Sequence, residues 1–228
     1  MKKNGKGFSL IELSIVLIII GLLVAGITGG ASLIKSAELR ATISEIRNYQ
    51  IAVNAFFVEK GYLPGTSSGS SDQMDLLYSG TAWNELYSAN ITTFDAIATT
   101  TAFTASSDVN SPKGKMKGSV YLFGYIDTYL NDINSNSLLL VGNGTVTEAS
   151  TSGTGELTAI GTNTSLPILK PSTAKQIDNK MDDSKPSSGK VLALGSSGTA
   201  ACQSTATTPA YNDTLTDNLC GLAFKLNI

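Results

Sequence analysis

Between Glu12 and Lys35 the chain runs for 22 residues without a charged side chain, and most of them are apolar. As an α-helix this run spans about 33 Å, against roughly 30 Å for the hydrocarbon core of a bilayer. No soluble domain of 228 residues can leave such a segment in water, so it must be covered by lipid, by a core or by other chains. The stretch before it, MKKNGKG, holds three lysines and no acid. By the positive-inside rule those lysines keep the N-terminus in the cytoplasm and place everything after Lys35 across the membrane.

The rest of the composition narrows the function. The chain has no His, which removes the commonest general base and metal ligand, and its two Cys cannot build a four-thiolate zinc site. No catalytic constellation is visible, so the sequence does not read as an enzyme. A formal net charge of −2 lacks the basic excess of a polyanion binder, and nucleic acid is not an expected partner. Cys202 and Cys220 suffice for one intrachain bridge, and an oxidising compartment favours it over two buried thiols.

Glu12 does not suit an ordinary membrane anchor. A carboxylate at the mouth of an apolar run is costly in lipid and calls for a cationic partner. The string Gly7-Phe8-Ser9-Leu10-Ile11-Glu12-Leu13, after a lysine-bearing leader and before the apolar run, resembles the processing signal of type IV prepilins and type II secretion pseudopilins. The resemblance implies that a prepilin peptidase cuts between Gly7 and Phe8 and methylates the new amine of Phe8. It also implies that Glu12 pairs with the N-terminus of a neighbouring subunit during assembly. Cleavage would remove Lys2, Lys3 and Lys6 and leave 13 basic against 18 acidic side chains. The competing reading is a conventional secretory signal cut near residues 26 to 32, but the apolar run is longer than such signals have and begins at an acid.

Beyond Lys35 a helical stripe continues through Leu39, Ile43, Ile46, Gln50, Val53 and Phe57, with Glu38, Arg40, Glu45, Arg47 and Glu59 off it. Gly61 and Pro64 are stop signals, so one helix is expected from Phe8 to about Lys60. Gly21, Gly26, Gly29 and Gly30 are weak points at which such a helix could unwind. Residues 120–126, 138–141, 190–194 and 222–227 are strand candidates, and Ser172 is a candidate N-cap for a helix to about Asp182. Ser/Thr/Gly-rich stretches at 65–72, 147–156 and 195–200 read as surface loops. The fold class is therefore α+β, with a long N-terminal hydrophobic helix and a small antiparallel sheet, and the resemblance implies that the second half of the helix packs on that sheet. The expected organisation is a leader at 1–7, a membrane or filament-core helix at 8–34, its amphipathic continuation at 35–60 and a head at 61–228.

Other residues carry weaker signals. Asp178, Asp182 and Asp183 could hold a hard cation such as calcium, though their spacing is not that of an EF-hand and they read better as solvent-facing acids ending a helix. No other cofactor is expected. Trp83 could stack on a sugar or base, and its helical spacing to Leu86 and Tyr87 reads better as a core anchor. Lys113, Lys115 and Lys117 alternate as on a strand edge. Asn90-Ile91-Thr92 and Asn143-Gly144-Thr145 match the glycosylation triplet, a short pattern that selects no site by itself.

The function that the resemblance implies is a structural subunit of a type IV pilus-like filament, inserted in the bacterial inner membrane as a precursor and later part of a surface or periplasm-spanning filament. Its implied partners are copies of itself in a helical array, the prepilin peptidase, and an inner-membrane assembly platform with its cytoplasmic ATPase. The alternative from the binding class is a minor pilin or type II secretion pseudopilin whose head recognises a surface, DNA or an exported protein.

Overall fold

The computed structural model describes residues 9–66, 73–74, 79–91, 111–126, 135–142, 167–195, 201–205 and 207–227. The expected loop at 147–156, all but Gly195 of that at 195–200, most of that at 65–72, and Asn143 with its triplet lie outside these residues. The elements run α1 (Leu10–Lys60), α2 (Ser79–Ser88), β1 (Ser119–Ile126), β2 (Ser135–Gly142), α3 (Pro171–Met181), β3 (Val191–Leu194) and β4 (Gly221–Lys225). Two compact units divide the chain, one ending at Arg40 and the other beginning at Ala41.

In the first unit, α1 passes through Gly21, Gly26, Gly29 and Gly30 as helix, so the structure contains none of the unwinding those glycines would permit. Every described side chain from residue 9 to 27 is exposed. Leu10 is 84% and Ile27 70% accessible. Among the described residues, α1 is the one helix long and apolar enough to cross a membrane.

In the second unit, the later part of α1 buries Ile43, Ile46, Ala52, Val53 and Phe56. Phe57, expected on that stripe, is 38% exposed, and Phe56 takes its place. The reason is local. Gly61 adopts φ +78°, a conformation glycine enters without Cβ strain, and its N–H closes the helix on the Phe57 carbonyl at 2.8 Å. The chain then turns back so that the Tyr62 ring meets Phe56 edge-on at 5.5 Å. Gln50, the polar member of the stripe, donates from Nε2 to the Lys225 carbonyl on β4.

The sheet is antiparallel throughout, in the order β1-β2-β4-β3. Its register aligns Tyr121, Leu140, Leu222 and Ala193 in one row and Phe123, Leu138, Phe224 and Val191 in the next. These rows share a face because side chains two apart in a strand point the same way. Leu122, Leu139, Ala223 and Leu192 form the opposite face, and all twelve residues are buried. Burial on both faces explains why β2 reads SNSLLLVG, with a continuous apolar run instead of alternation.

Tyr49 of α1 and Trp83 of α2 complete the aromatic core. Tyr49 meets Trp83 at 4.9 Å and Tyr121 at 5.0 Å, while Trp83 lies 4.2 Å from Phe123. Trp83 is fully buried, and its indole N–H donates to the Tyr121 carbonyl at 3.1 Å. It is thus a core anchor, while Tyr87 on the same helix is exposed. Lys113, Lys115 and Lys117 are exposed beside the outer strand β1, which Lys113 bridges at Val120. The N-cap of α3 is Lys170 and not Ser172, because Pro171 occupies the first helical position, where its fixed φ fits and its missing N–H costs nothing.

Candidate functional site

Gly7 and Phe8, the expected processing site, lie outside the described residues. Glu12 is described, and it has a partner within its own chain. The backbone N–H of Ser9 donates to Glu12 Oε2 at 2.8 Å, while the Ser9 carbonyl accepts the first helical bond from Leu13 at 3.2 Å. Ser9 is therefore the N-cap of α1, and Glu12, at the third helical position, completes one half of a capping box. This contact gives a partner to an N–H that the helix cannot satisfy, and it places a carboxylate at the positive end of the helix dipole. The string Ser9-x-x-Glu12 carries this signal in the sequence, although the acid was read there only for its need of a cation.

The head's polar chemistry gathers around α3 and the segment closed by the cysteines. Cys202 and Cys220 are bonded, with Cα atoms 5.1 Å apart. Cys220 directly precedes β4 and forms an isolated bridge with Leu169 just before α3, so the bond ties the segment to the sheet. The fit is close at Gly195, where φ is +151° and a Cβ would lie 2.6 Å from the Leu219 carbonyl oxygen and 3.0 Å from Cys202 Cβ. Inside the closed segment, Asn212 donates from Nδ2 to the Ala201 carbonyl at 2.7 Å. Lys175 of α3 pairs with Asp213 at 2.5 Å, which holds the Asp213 carboxyl below its ordinary range.

Asp178, Asp182 and Asp183 converge, each offering an oxygen within 4.8 Å of the others. They do not all face solvent as expected, since Asp178 is fully buried. Its Oδ2 accepts from the Tyr211 hydroxyl at 2.9 Å and its Oδ1 from the Ser184 N–H at 3.3 Å. Burial pushes its carboxyl up to about 6, the two donors oppose that rise, and the neighbouring aspartates add to it. The Tyr211 hydroxyl is raised in turn, first by burial and then by the Asp178 charge.

Asp182 Oδ2 takes the backbone N–H groups of Lys190 and Val191. Asp183 accepts from the Lys185 N–H at 2.9 Å and the Ser188 hydroxyl at 2.8 Å. Burial raises the Asp183 carboxyl, but these donors and the Lys185 charge outweigh it and hold the group low. The trio is close enough for a single hard cation, which would compete with donors of the chain's own turn for the same oxygens.

Glu45 was not singled out by sequence reasoning. Only 16% of its side chain is exposed, and Oε2 accepts from the Lys115 N–H at 3.0 Å and the Tyr121 hydroxyl at 3.1 Å. It fastens the helix to β1 and its preceding turn. Nothing in a row of alternating charges distinguishes such an acid from a solvated one.

The family model described as the prokaryotic N-terminal methylation motif matches residues 2–28. No curated protein and no solved structure matches the chain. The matched segment holds the lysine-bearing start of the chain, Glu12 with its capping contact and most of the apolar run, while the antiparallel head lies beyond it. On an α+β fold of pilin-like arrangement, the chain thus carries the N-terminal signal of type IV pilins and pseudopilins.

Proposed function

We propose that this chain is a prepilin, cut after Gly7, held in the inner membrane by its apolar helix and assembled through that helix into a type IV pilus-like filament. The observation that supports it most is the pairing of the methylation motif with an apolar helix whose side chains are exposed throughout residues 9–27. Such a surface needs lipid or neighbouring helices around it.

Lipid and packed apolar helices are similar surroundings, so transfer from membrane to filament brings little hydrophobic gain, and specificity must come from polar contacts. Glu12 fits that role. Its capping contact with Ser9 leaves the carboxylate bonded in the single chain, and the second oxygen remains for the methylated amine of Phe8 on a neighbouring copy. A subunit entering out of step would leave that amine and carboxylate unmatched in a low-dielectric place, a penalty of several kcal/mol.

The test is mass spectrometry of filaments sheared from the native cells, together with a Glu12→Leu variant. The expected dominant protein begins at N-methylated Phe8, and the variant is processed and inserted but absent from filaments. A mature N-terminus near Ser32, or normal filaments from Glu12→Leu, would overturn the proposal. Correct processing with only traces in the filament would assign the chain to the minor-pilin or pseudopilin reading.

A further inference from the structure

A cleft of about 350 Å³ opens where the later part of α1 meets the β3–β4 end of the sheet. Arg47, Lys190 and Lys225 line it with the amides of Gln50 and Asn54, and no acid lines it among the described residues. None of the three cations has a carboxylate partner among the described residues. Asp182 lies beside the cleft, and its Oδ2 is engaged by the backbone N–H groups of Lys190 and Val191.

The lysines are rooted in fixed backbone. Lys225 donates its N–H to the Lys190 carbonyl at 2.9 Å, and its own carbonyl accepts from Gln50. The cleft is therefore a preformed cationic recess in a chain whose acids outnumber its bases.

Its α1 wall extends as an exposed face. Arg47, Ile51, Asn54 and Val58 follow one another at steps of four and three, and Ile51 and Val58 are 65% and 84% accessible. Cations beside exposed aliphatic side chains fit a protein surface better than a small soluble anion. The complementary charge is present on the same molecule. Asp217, on the disulfide-closed segment, is exposed and has no ion pair among the described residues.

We infer that the cleft formed by Arg47, Lys190 and Lys225, with the Ile51 and Val58 face beside it, receives the acidic surface around exposed Asp217 of a second copy of this chain. This inference rests on the filament reading and adds a contact between heads to it. Because the cationic recess and the acidic surface are different patches of one subunit, the contact is heterologous and propagates along an array instead of closing a dimer. Attraction across it would guide docking and fix register more than it would add affinity.

The test replaces the wild-type gene in native cells by Lys190→Glu/Lys225→Glu and, separately, by Lys190→Gln/Lys225→Gln. Disulfide formation, N-terminal processing and membrane insertion are followed beside filament yield. We expect the first three to stay at wild-type level, the charge reversal to lower yield at least about tenfold through like-charge repulsion, and the neutral variant to lose less. Filaments of the neutral variant should also shed subunits at lower salt than wild-type filaments do. Normal yield and salt resistance in both variants, with wild-type filaments present, would overturn the contact and leave the filament reading intact. The same result beside saturable binding of citrate by the full-length wild-type protein in detergent would reassign the cleft to a small anion. Absence of the wild-type chain from filaments would overturn both readings.

Discussion

The unit ending at Arg40 and the unit beginning at Ala41 solve the same problem, the removal of apolar side chains from water, in opposite ways. The second buries its aliphatic and aromatic residues within itself, in rows such as Phe123, Leu138, Phe224 and Val191. The first buries almost none, and its described apolar side chains from Leu10 to Ile27 are all exposed. One unit is therefore stable by its own core, and the other is stable only in surroundings that something else supplies.

If that contrast is right, damage to the two units should register in different experiments. The sharpest test is Trp83→Ala. It removes a fully buried indole and its hydrogen bond to Tyr121, and should cost the head about 3–5 kcal/mol in denaturant titration of the detergent-solubilised chain. Membrane insertion should not change, and a loss of insertion would break the division between the units.

Loss of the disulfide should come next. In the chain-entropy account, Cys202→Ser/Cys220→Ser releases a closed segment of this size and lowers head stability by about 3 kcal/mol, read as an earlier denaturant midpoint that reductant reproduces in the wild type. Equal stability of oxidised and reduced protein would show that Tyr211 and Asn212 hold the segment unaided.

A third test uses pH. Asp178 is raised in the fold to about 6, so the folded state binds its proton more tightly than the unfolded chain does. Its contribution is fully present below about pH 4 and is lost as pH rises toward 6, a cost of up to about 3 kcal/mol. Asp178→Asn should remove this slope. Denaturant midpoints at pH 4, 5, 6 and 7 that fall equally in both proteins would place the titration elsewhere.

The smallest effect belongs to the first unit. Ser9→Pro deletes the N–H that Glu12 accepts from and should cost the start of α1 about 1 kcal/mol, visible as faster amide exchange over its first turn and not in head stability.

The sequence's legibility divides along the same line. The apolar run, the Gly7 to Leu13 string and the α1 stop at Gly61 are short-range patterns, and such patterns survive in a linear reading. The strands were legible as apolar, β-prone runs, and each of the four formed. Their order was not, because pairing β4 between β2 and β3 depends on contacts far apart in sequence. Asp178 and Glu45 misled for a related reason. A carboxylate looks solvated until Tyr211 or Tyr121, distant along the chain, brings it a donor. Phe56, three residues after Val53, fits the helical period as well as Phe57, four after it, and the return of the chain at Gly61, which brings Tyr62 against Phe56, is not legible in that period.

The position of β4 also sets a timetable for the molecule's birth. It is the last described strand in the sequence, yet it lies inside the sheet, paired with β2 along one edge and β3 along the other. Until residues 220–225 have left the ribosome, the β1–β2 hairpin and β3 have no strand to join them, and Cys202 has no Cys220 to meet. The N-terminal helix forms from the first residues made, but the head must wait for residues 220–225 before its sheet and its covalent tie can form together.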